Sequence, residues 1–202
     1  MVGSANLVDA PTGSAPSVTG RRIAIIGSGG AGKSTFAQAL SQRLDLPVIH
    51  LDPIFWRPGW VEMPPAEWRA RQEAMVREEA WIIDGTHAPT LDVRLGAADT
   101  VVLLDLNRFV CTWRVIKRRF RYGRRFRFDR APGCDERLDA NFVRWVWTYP
   151  SRGRPEALAA IADHAPDATL VRLTTRRAVK QFLSDLQTRP AAPRREVALE
   201  AC

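Results

Sequence analysis

One stretch near the N-terminus gathers the residue types that phosphate chemistry needs. Gly27-Ser28-Gly29-Gly30-Ala31-Gly32-Lys33-Ser34 matches the pattern G-x-x-x-x-G-K-[ST] in full, and Thr35 follows it. Glycines let successive backbone N–H groups converge on phosphate oxygens with no Cβ in the way. A helix beginning at Lys33 aims its positive end at the same point. Lys33 is expected to reach β- and γ-phosphates, and Ser34 to offer its hydroxyl to Mg²⁺. The motif therefore predicts a site for ATP with Mg²⁺ lined by Gly27, Ser28, Gly29, Gly30, Ala31, Gly32, Lys33, Ser34 and Thr35. The alternative is a Gly-rich turn that happens to precede Lys-Ser. A short apolar strand before the motif and an amphipathic helix after it speak against that.

Such a loop needs a carboxylate at the end of a neighbouring apolar strand to hold the water on Mg²⁺. Asp84 ends Trp81-Ile82-Ile83-Asp84-Gly85, and Asp105 ends VVLLD. If the third strand lies beside the phosphate-loop strand, Asp84 is the metal carboxylate. Asp105 is then a strand-end residue that caps the next helix. A third carboxylate, Asp52, ends the second strand on the same edge. It suits orienting or deprotonating an acceptor hydroxyl, and equally a turn before Pro53. Phe55, Trp56 and Trp60 follow it with Arg57 between them. They suit stacking a planar or sugar-like acceptor, or forming a small hydrophobic cap.

These groups need a sheet edge to hold them. Apolar runs at Ile23 to Ile26, Pro47 to Leu51, Trp81 to Gly85, Thr100 to Leu106 and Thr169 to Leu173 read as five strands. Helical stretches intervene at Lys33 to Leu44, Ala66 to Ala80, Arg108 to Phe120, Asp135 to Tyr149, Arg154 to His164 and Arg176 to Leu186. Trp145 and Trp147 fall on opposite sides of their helix, which places at least one in the core. The pattern predicts an α/β fold, a five-stranded parallel sheet with helices on both faces. The folded domain spans about 21–187. Residues 1–20 read as a disordered leader and 188–202 as a disordered tail.

Composition narrows the function. With 46% hydrophobic residues in 202, the chain can bury a sizeable core. No apolar run approaches the roughly 20 residues of a membrane span, and no secretory signal is evident, so a cytoplasmic protein is expected. Cys111, Cys134 and Cys202 lie far apart, and His50, His87 and His164 show no metal spacing, so neither a disulfide framework nor a zinc site is expected. The net charge of +8 is local. Residues 108–130 hold ten Lys/Arg against one acid, Asp129, and so carry +9, while the rest of the chain sums to −1. Such a segment binds phosphates of a nucleotide, a nucleic acid or a lipid headgroup.

The phosphate loop, the His50-Leu51-Asp52 strand end, Asp84-Gly85 and VVLLDLNRFVCTWRVIKRR with its basic loop resemble the nucleoside monophosphate kinase group of P-loop NTPases. LPVIHLDPIFWRPGW, WIIDGTH, TLDVRL and GCDERLDANFVRWVWTYP resemble more closely the adenylate-kinase-related "topology modulation protein" family. The resemblance covers about 21–187. It implies ATP and Mg²⁺ as cofactors and a mobile basic lid at about 120–134. It also implies that Arg114 packs on adenine, that Arg118 contacts phosphates, and that Arg137 and Arg144 clamp the transferred phosphoryl group. The spacing of those last two departs from that of long-lid adenylate kinases. The acceptor-binding Arg of the Asp-Gly-Phe-Pro-Arg stretch is missing from Asp84-Gly85-Thr86-His87-Ala88, and Arg94 is the candidate replacement.

Phosphoryl transfer needs charge neutralisation, in-line placement and exclusion of water. Lys33, Asp84, Arg118, Arg137 and Asp52 are the groups expected to supply them. Lid residues Arg121, Arg124, Arg125, Arg127 and Arg130 add charge that folds over the phosphates. The expected partners are ATP and a small-molecule acceptor. The competing expectation is a protein that binds or hydrolyses ATP as a switch and acts on nucleic acid. It is less favoured, because the basic residues sit where a kinase lid sits and no separate basic arm or helix-turn-helix is present.

Overall fold

The computed structural model describes residues 7–9, 18–122, 131, 133–134 and 139–186. The strands are β1 (Leu7–Asp9), β2 (Arg22–Gly27), β3 (Val48–His50), β4 (Trp56–Arg57), β5 (Val61–Glu62), β6 (Trp81–Asp84), β7 (Thr100–Leu104) and β8 (Thr169–Leu173). The helices are α1 (Lys33–Leu44), α2 (Leu51–Phe55), α3 (Pro65–Met75), α4 (Leu91–Leu95), α5 (Arg108–Tyr122), α6 (Ala140–Thr148), α7 (Gly153–His164) and α8 (Arg176–Asp185). A 3₁₀ turn, Ala88–Thr90, leads into α4.

All five expected strands pair in parallel, in the order β8-β7-β2-β6-β3. A sixth, β1, adds in parallel to β8, so part of the stretch expected to be a disordered leader belongs to the sheet. Thr19 is also tied in, through its backbone N–H and hydroxyl, to Thr100, and its hydroxyl lies 2.7 Å from that of Thr169. The tail, 188–202, lies outside the described residues, as do most positions of the expected lid.

The strands read as continuous apolar runs because both faces are covered. Alternate side chains divide between two cores. Ile23, Ile25, Ile82, Val102, Leu104, Val171 and Leu173 pack with Phe36 and Leu40 of α1, Val115 of α5, Val146 of α6 and Phe182 of α8. Ala24, Ile26, Trp81, Ile83, Val101, Leu103 and Leu170 face Trp68 of α3, Leu91 and Leu95 of α4, and Ile161 of α7. Trp145 and Trp147 both depart from the expectation that one is core: each is 39% exposed, and it is Val146 between them that is buried. Trp145 stacks on Phe142, and Trp147 meets Phe109 edge-on beneath the Arg108 guanidinium.

The order matters for the site. The chain leaves β2 towards β3 and β6 on one side, with β7 and β8 on the other. The C-terminal end of β2 is therefore a switch point, where an open α/β sheet forms its crevice.

Candidate phosphate-transfer site

The loop after β2 is shaped by backbone that only glycine supplies without strain. Gly27 has φ 143° and Gly30 φ 75°. A Cβ at Gly27 would lie 2.5 Å from the Leu104 carbonyl oxygen, and one at Gly30 would lie 2.3 Å from that of Cys111. The loop is thus pressed between β7 and α5. Phe142 and Val146 of α6 close on Gly29 from above. The helix α1 starts at Lys33 with no side-chain cap on its first N–H groups, which leaves its positive end open to an anion.

Lys33 folds back over the loop. Its ammonium donates to the carbonyls of Gly27 and Ser28, each at 3.1 Å. Burial lowers its pKa, and the carboxylates of Asp52 and Asp84 oppose that shift, while Arg118 adds to it. Lys33, Asp52, Asp84 and Arg118, from four separate elements, therefore share one electrostatic neighbourhood. Arg137 lies outside the described residues. Ser34 is half-buried and Thr35 exposed in the first turn of α1, and the Ser28 hydroxyl is buried with no hydrogen-bond partner among the described residues.

Asp84 ends β6, paired with Ile25 of β2 on one side and His50 of β3 on the other. It is 4% exposed, and its Oδ1 lies 2.5 Å from His50 Nδ1. His50 Nε2 lies 2.9 Å from the Gln38 side-chain nitrogen. With that amide donating, Nε2 accepts and Nδ1 carries the hydrogen given to Asp84. Asp105 has a different fate. Its Oδ2 accepts from Arg172 Nε and Nη2 at 3.0 and 2.5 Å, with Arg154 at 3.5 Å. It is neutralised within the fold, and the cap of α5 that was expected of it comes from Asn107, which accepts the Phe109 N–H.

Asp52 sits in the first turn of α2, its side chain 62% exposed, and its Oδ1 lies 3.0 Å from His87 Nε2. Crowding by the surrounding protein pushes its carboxyl up, but the His87 hydrogen bond, with the charges of His87, Lys33 and Arg118, outweighs this and holds it below the usual carboxylate range. His87 is held between Phe55 and Trp68, with ring centroids at 4.6 and 5.2 Å, and its own φ is 28°.

Two arginines take positions that the resemblance did not imply. Arg114 donates to the carbonyls of Gly30 and Ala31 at 3.2 and 3.1 Å, so it grips the outside of the phosphate loop. Arg94 is fully buried, with its guanidinium turned onto neighbouring protein groups. Its guanidinium donates to the Gln72 side chain and to the carbonyls of Gly85 and Thr86, the last at 2.8 Å. It braces the turn after β6. Thr86 in turn donates its hydroxyl to the Gly27 carbonyl at 2.7 Å and accepts the Gly27 N–H at 3.3 Å, tying that turn to the phosphate loop. Thr86, His87, His50 and Gln38 were not singled out by spacing. A histidine two residues from a proposed catalytic carboxylate, and another two residues beyond Asp84-Gly85, are the signals that were there to find.

No family model matches the sequence, and no curated protein matches it. Solved structures do. A shikimate kinase from Acinetobacter baumannii, solved with shikimate, matches 82% of this chain and 90% of its own length at 14% identity, with a TM-score of 0.53. The chain has the fold of the P-loop kinases. A sugar kinase from Janibacter sp. HTCC2649, solved unliganded, matches 82% of this chain and 91% of its own at 19% identity, with a TM-score of 0.49. Among the described residues, no helix is long and apolar enough to cross a membrane.

Proposed function

We propose that the chain is an ATP-dependent phosphotransferase that moves the γ-phosphoryl group to a hydroxyl of a small acceptor. The observation that carries this is the placement of Asp52. It is an exposed carboxylate held by His87 within the field of Lys33 and Arg118. A loop that only bound ATP has no use for a proton acceptor fixed on that side, and dependence of ADP release on an acceptor hydroxyl separates transfer from attack by water. The finer likeness, to the topology modulation proteins, rests on the sequence stretches that carry it.

The residues fit ATP with Mg²⁺. The Ser34 hydroxyl would offer Mg²⁺ a hard oxygen beside phosphate oxygens and water, and the Asp84 carboxylate would hold one of those waters. Bound Mg²⁺ neutralises charge on the β- and γ-phosphates. The N–H groups from Gly29 to Ser34 hold phosphate oxygens, and the Lys33 ammonium exchanges its two carbonyl acceptors for them. His50 keeps the Asp84 carboxylate turned and hydrogen-bonded. Asp52 orients the acceptor hydroxyl and takes its proton as the oxygen bonds to phosphorus and the bond to ADP breaks. Arg118 offsets charge on the transferring group. The test is ADP release from MgATP in the presence of hydroxyl acceptors, with Asp52→Asn as control. Acceptor-dependent release lost in that variant, with MgATP binding kept, is the expected result.

One observation favours a second reading, in which ATP acts as a switch for nucleic acid binding. Phe109 and Trp113 are each 63% exposed and Phe120 is 81% exposed on α5, beside exposed Arg108, Lys117 and Arg119. Aromatic rings among cations are what single strands stack on.

A further inference from the structure

We infer that the acceptor is an uncharged, polyhydroxylated ring, a sugar or cyclic polyol, and not a nucleotide or a carboxylate. The inference rests on the phosphotransferase reading and names its substrate class.

Recognition of an anionic acceptor needs a cation held ready for it, most often an Arg fork. The acceptor side of Asp52 is built by α2, the β4–β5 hairpin, the start of α3 and the turn at Thr86 and His87. Its described arginines are spent. Arg57 donates to Glu67 at 2.7 Å, and Arg71 to the other oxygen of Glu67 at 3.1 Å. Arg69 is bound to Asp92 at 2.5 Å and Glu73 at 3.2 Å. Arg94 lies in the core with its guanidinium on carbonyls. His87 is committed to Asp52 itself, and the other described cations whose charge acts on Asp52 are Lys33 and Arg118, which border the phosphate loop. Among the described residues, a second anion would therefore meet Asp52 with no uncommitted cation of its own on this side.

What the acceptor side does offer is ring surface and hydrogen-bonding edges. Ring contacts run from His87 to Phe55 at 4.6 Å, from Phe55 to Trp56 at 4.9 Å and from Trp56 to Trp60 at 5.4 Å. Trp56 and Trp60 are half-buried. Trp60 has φ 64°, an uncommon conformation for a bulky residue, of the kind that clusters at ligand sites. The adjacent Gly59 N–H donates to the Gly133 carbonyl at 3.0 Å, and Cys134 Sγ donates to the Arg57 carbonyl at 3.2 Å, which pins the hairpin in place. An indole face covers the C–H face of a sugar ring, while Asp52 and His87 take its hydroxyls. In the transfer, one of those hydroxyl oxygens bonds to Pγ, its proton goes to Asp52, and ADP leaves with the electrons of the broken P–O bond.

The test uses the full chain and two sets of probes. One is neutral: aldohexoses, aldopentoses and myo-inositol. The other is anionic: nucleoside 5′-monophosphates, gluconate and shikimate. Binding is read by tryptophan fluorescence without nucleotide, and transfer by ADP release with MgATP. A neutral probe is expected to change fluorescence and stimulate ADP release. Trp60→Ala should raise the acceptor KM roughly tenfold with a smaller effect on kcat, and Trp60→Phe should restore most of it. Arg57→Ala should leave acceptor KM within about twofold. Preference for an anionic probe, or a large KM rise in Arg57→Ala, overturns the inference and leaves the kinase reading standing. Neutral probes that bind by fluorescence but receive no phosphate uphold the neutral site and sink the kinase reading. Neutral probes silent in both readouts overturn the inference.

Discussion

His50 and Asp84 stand opposite each other on adjacent parallel strands, β3 and β6, and are joined by a 2.5 Å contact from Nδ1 to Oδ1. Gln38 on α1 holds the far side of the imidazole. The helix that begins at the phosphate loop is thereby linked to the carboxylate proposed for the metal. Second partners of this kind fix the orientation of a metal-binding group.

Asp84→Asn is expected to raise the Mg²⁺ concentration needed for half-maximal turnover and to depress turnover itself. Asp105→Asn is expected to act on stability instead. Its carboxylate is buried against Arg172 and Arg154, which are themselves partly exposed, so the loss should be about 1–3 kcal/mol, below that of a fully buried pair. Chemical denaturation and Mg²⁺ titration of both variants check this. A rise in Mg²⁺ requirement in Asp105→Asn alone would reverse the assignment.

Lys33→Ala should remove the ammonium that bridges the carbonyls of Gly27 and Ser28. Transition-state stabilisation of roughly 3–4 kcal/mol is expected to go with it. The fold should survive, because two lost hydrogen bonds to loop carbonyls are small beside two apolar cores. Circular dichroism and MgATP turnover test both halves, and wild-type turnover would refute the site.

The carboxyl of Asp52 is held below the usual range, so its contribution to stability is complete above the ordinary carboxylate value of about 4 and is lost as pH falls through its lower folded value. Asp52→Asn should therefore differ from wild type in stability near neutral pH and converge on it in strong acid. Thermal melts across pH 2 to 7 measure the difference on that scale. A gap that persists unchanged to the acid end contradicts the His87 pairing as its source.

The phosphate loop and the strands were legible because each is a local pattern: a fixed spacing, or a run of apolar residues. The position of Asp84 at the strand end beside the phosphate loop followed from those, since strand order puts β6 beside β2. The partners were not legible in the same way. His50 meets Asp84 across 34 residues of sequence through strand register. By sequence Arg94 is the expected replacement for the acceptor arginine, and only the packing of α3 and α4 against the turn after β6 encloses it. The tryptophans of α6 misled because helical periodicity says which residues share a face, not which face is covered. Val146 takes the core position, and both Trp residues flank it. The short elements α2, β4, β5 and α4 carry too few residues for a period to show.

Arg94→Ala tests that bracing role. The carbonyls of Gly85 and Thr86 would lose their donor inside the protein, at about 1–3 kcal/mol for each buried group left unpaired. Marked destabilisation is expected, and any gain in acceptor KM should follow the loosened turn. Arg94→Lys should recover part of the stability, since a single ammonium reaches fewer acceptors than the fork. A variant with wild-type stability and a selective loss of acceptor binding would return Arg94 to the acceptor.

The exposed aromatic and cationic residues of α5 set the last prediction. If they serve nucleotide chemistry nearby and nothing else, DNA binding comes from charge alone. It should then be weak, indifferent to sequence, and should fall by roughly a hundredfold or more between about 50 and 200 mM salt. Trp113→Ala should leave it unchanged, because phosphate contacts need cations and not rings. MgATP should compete, since Arg114 and Arg118 lie on the same helix and border the phosphate loop. Fluorescence anisotropy with duplex and single-stranded oligonucleotides, with and without saturating MgATP, reads all three. Tight binding that needs Trp113 and survives ATP saturation would move the function of α5 to nucleic acid.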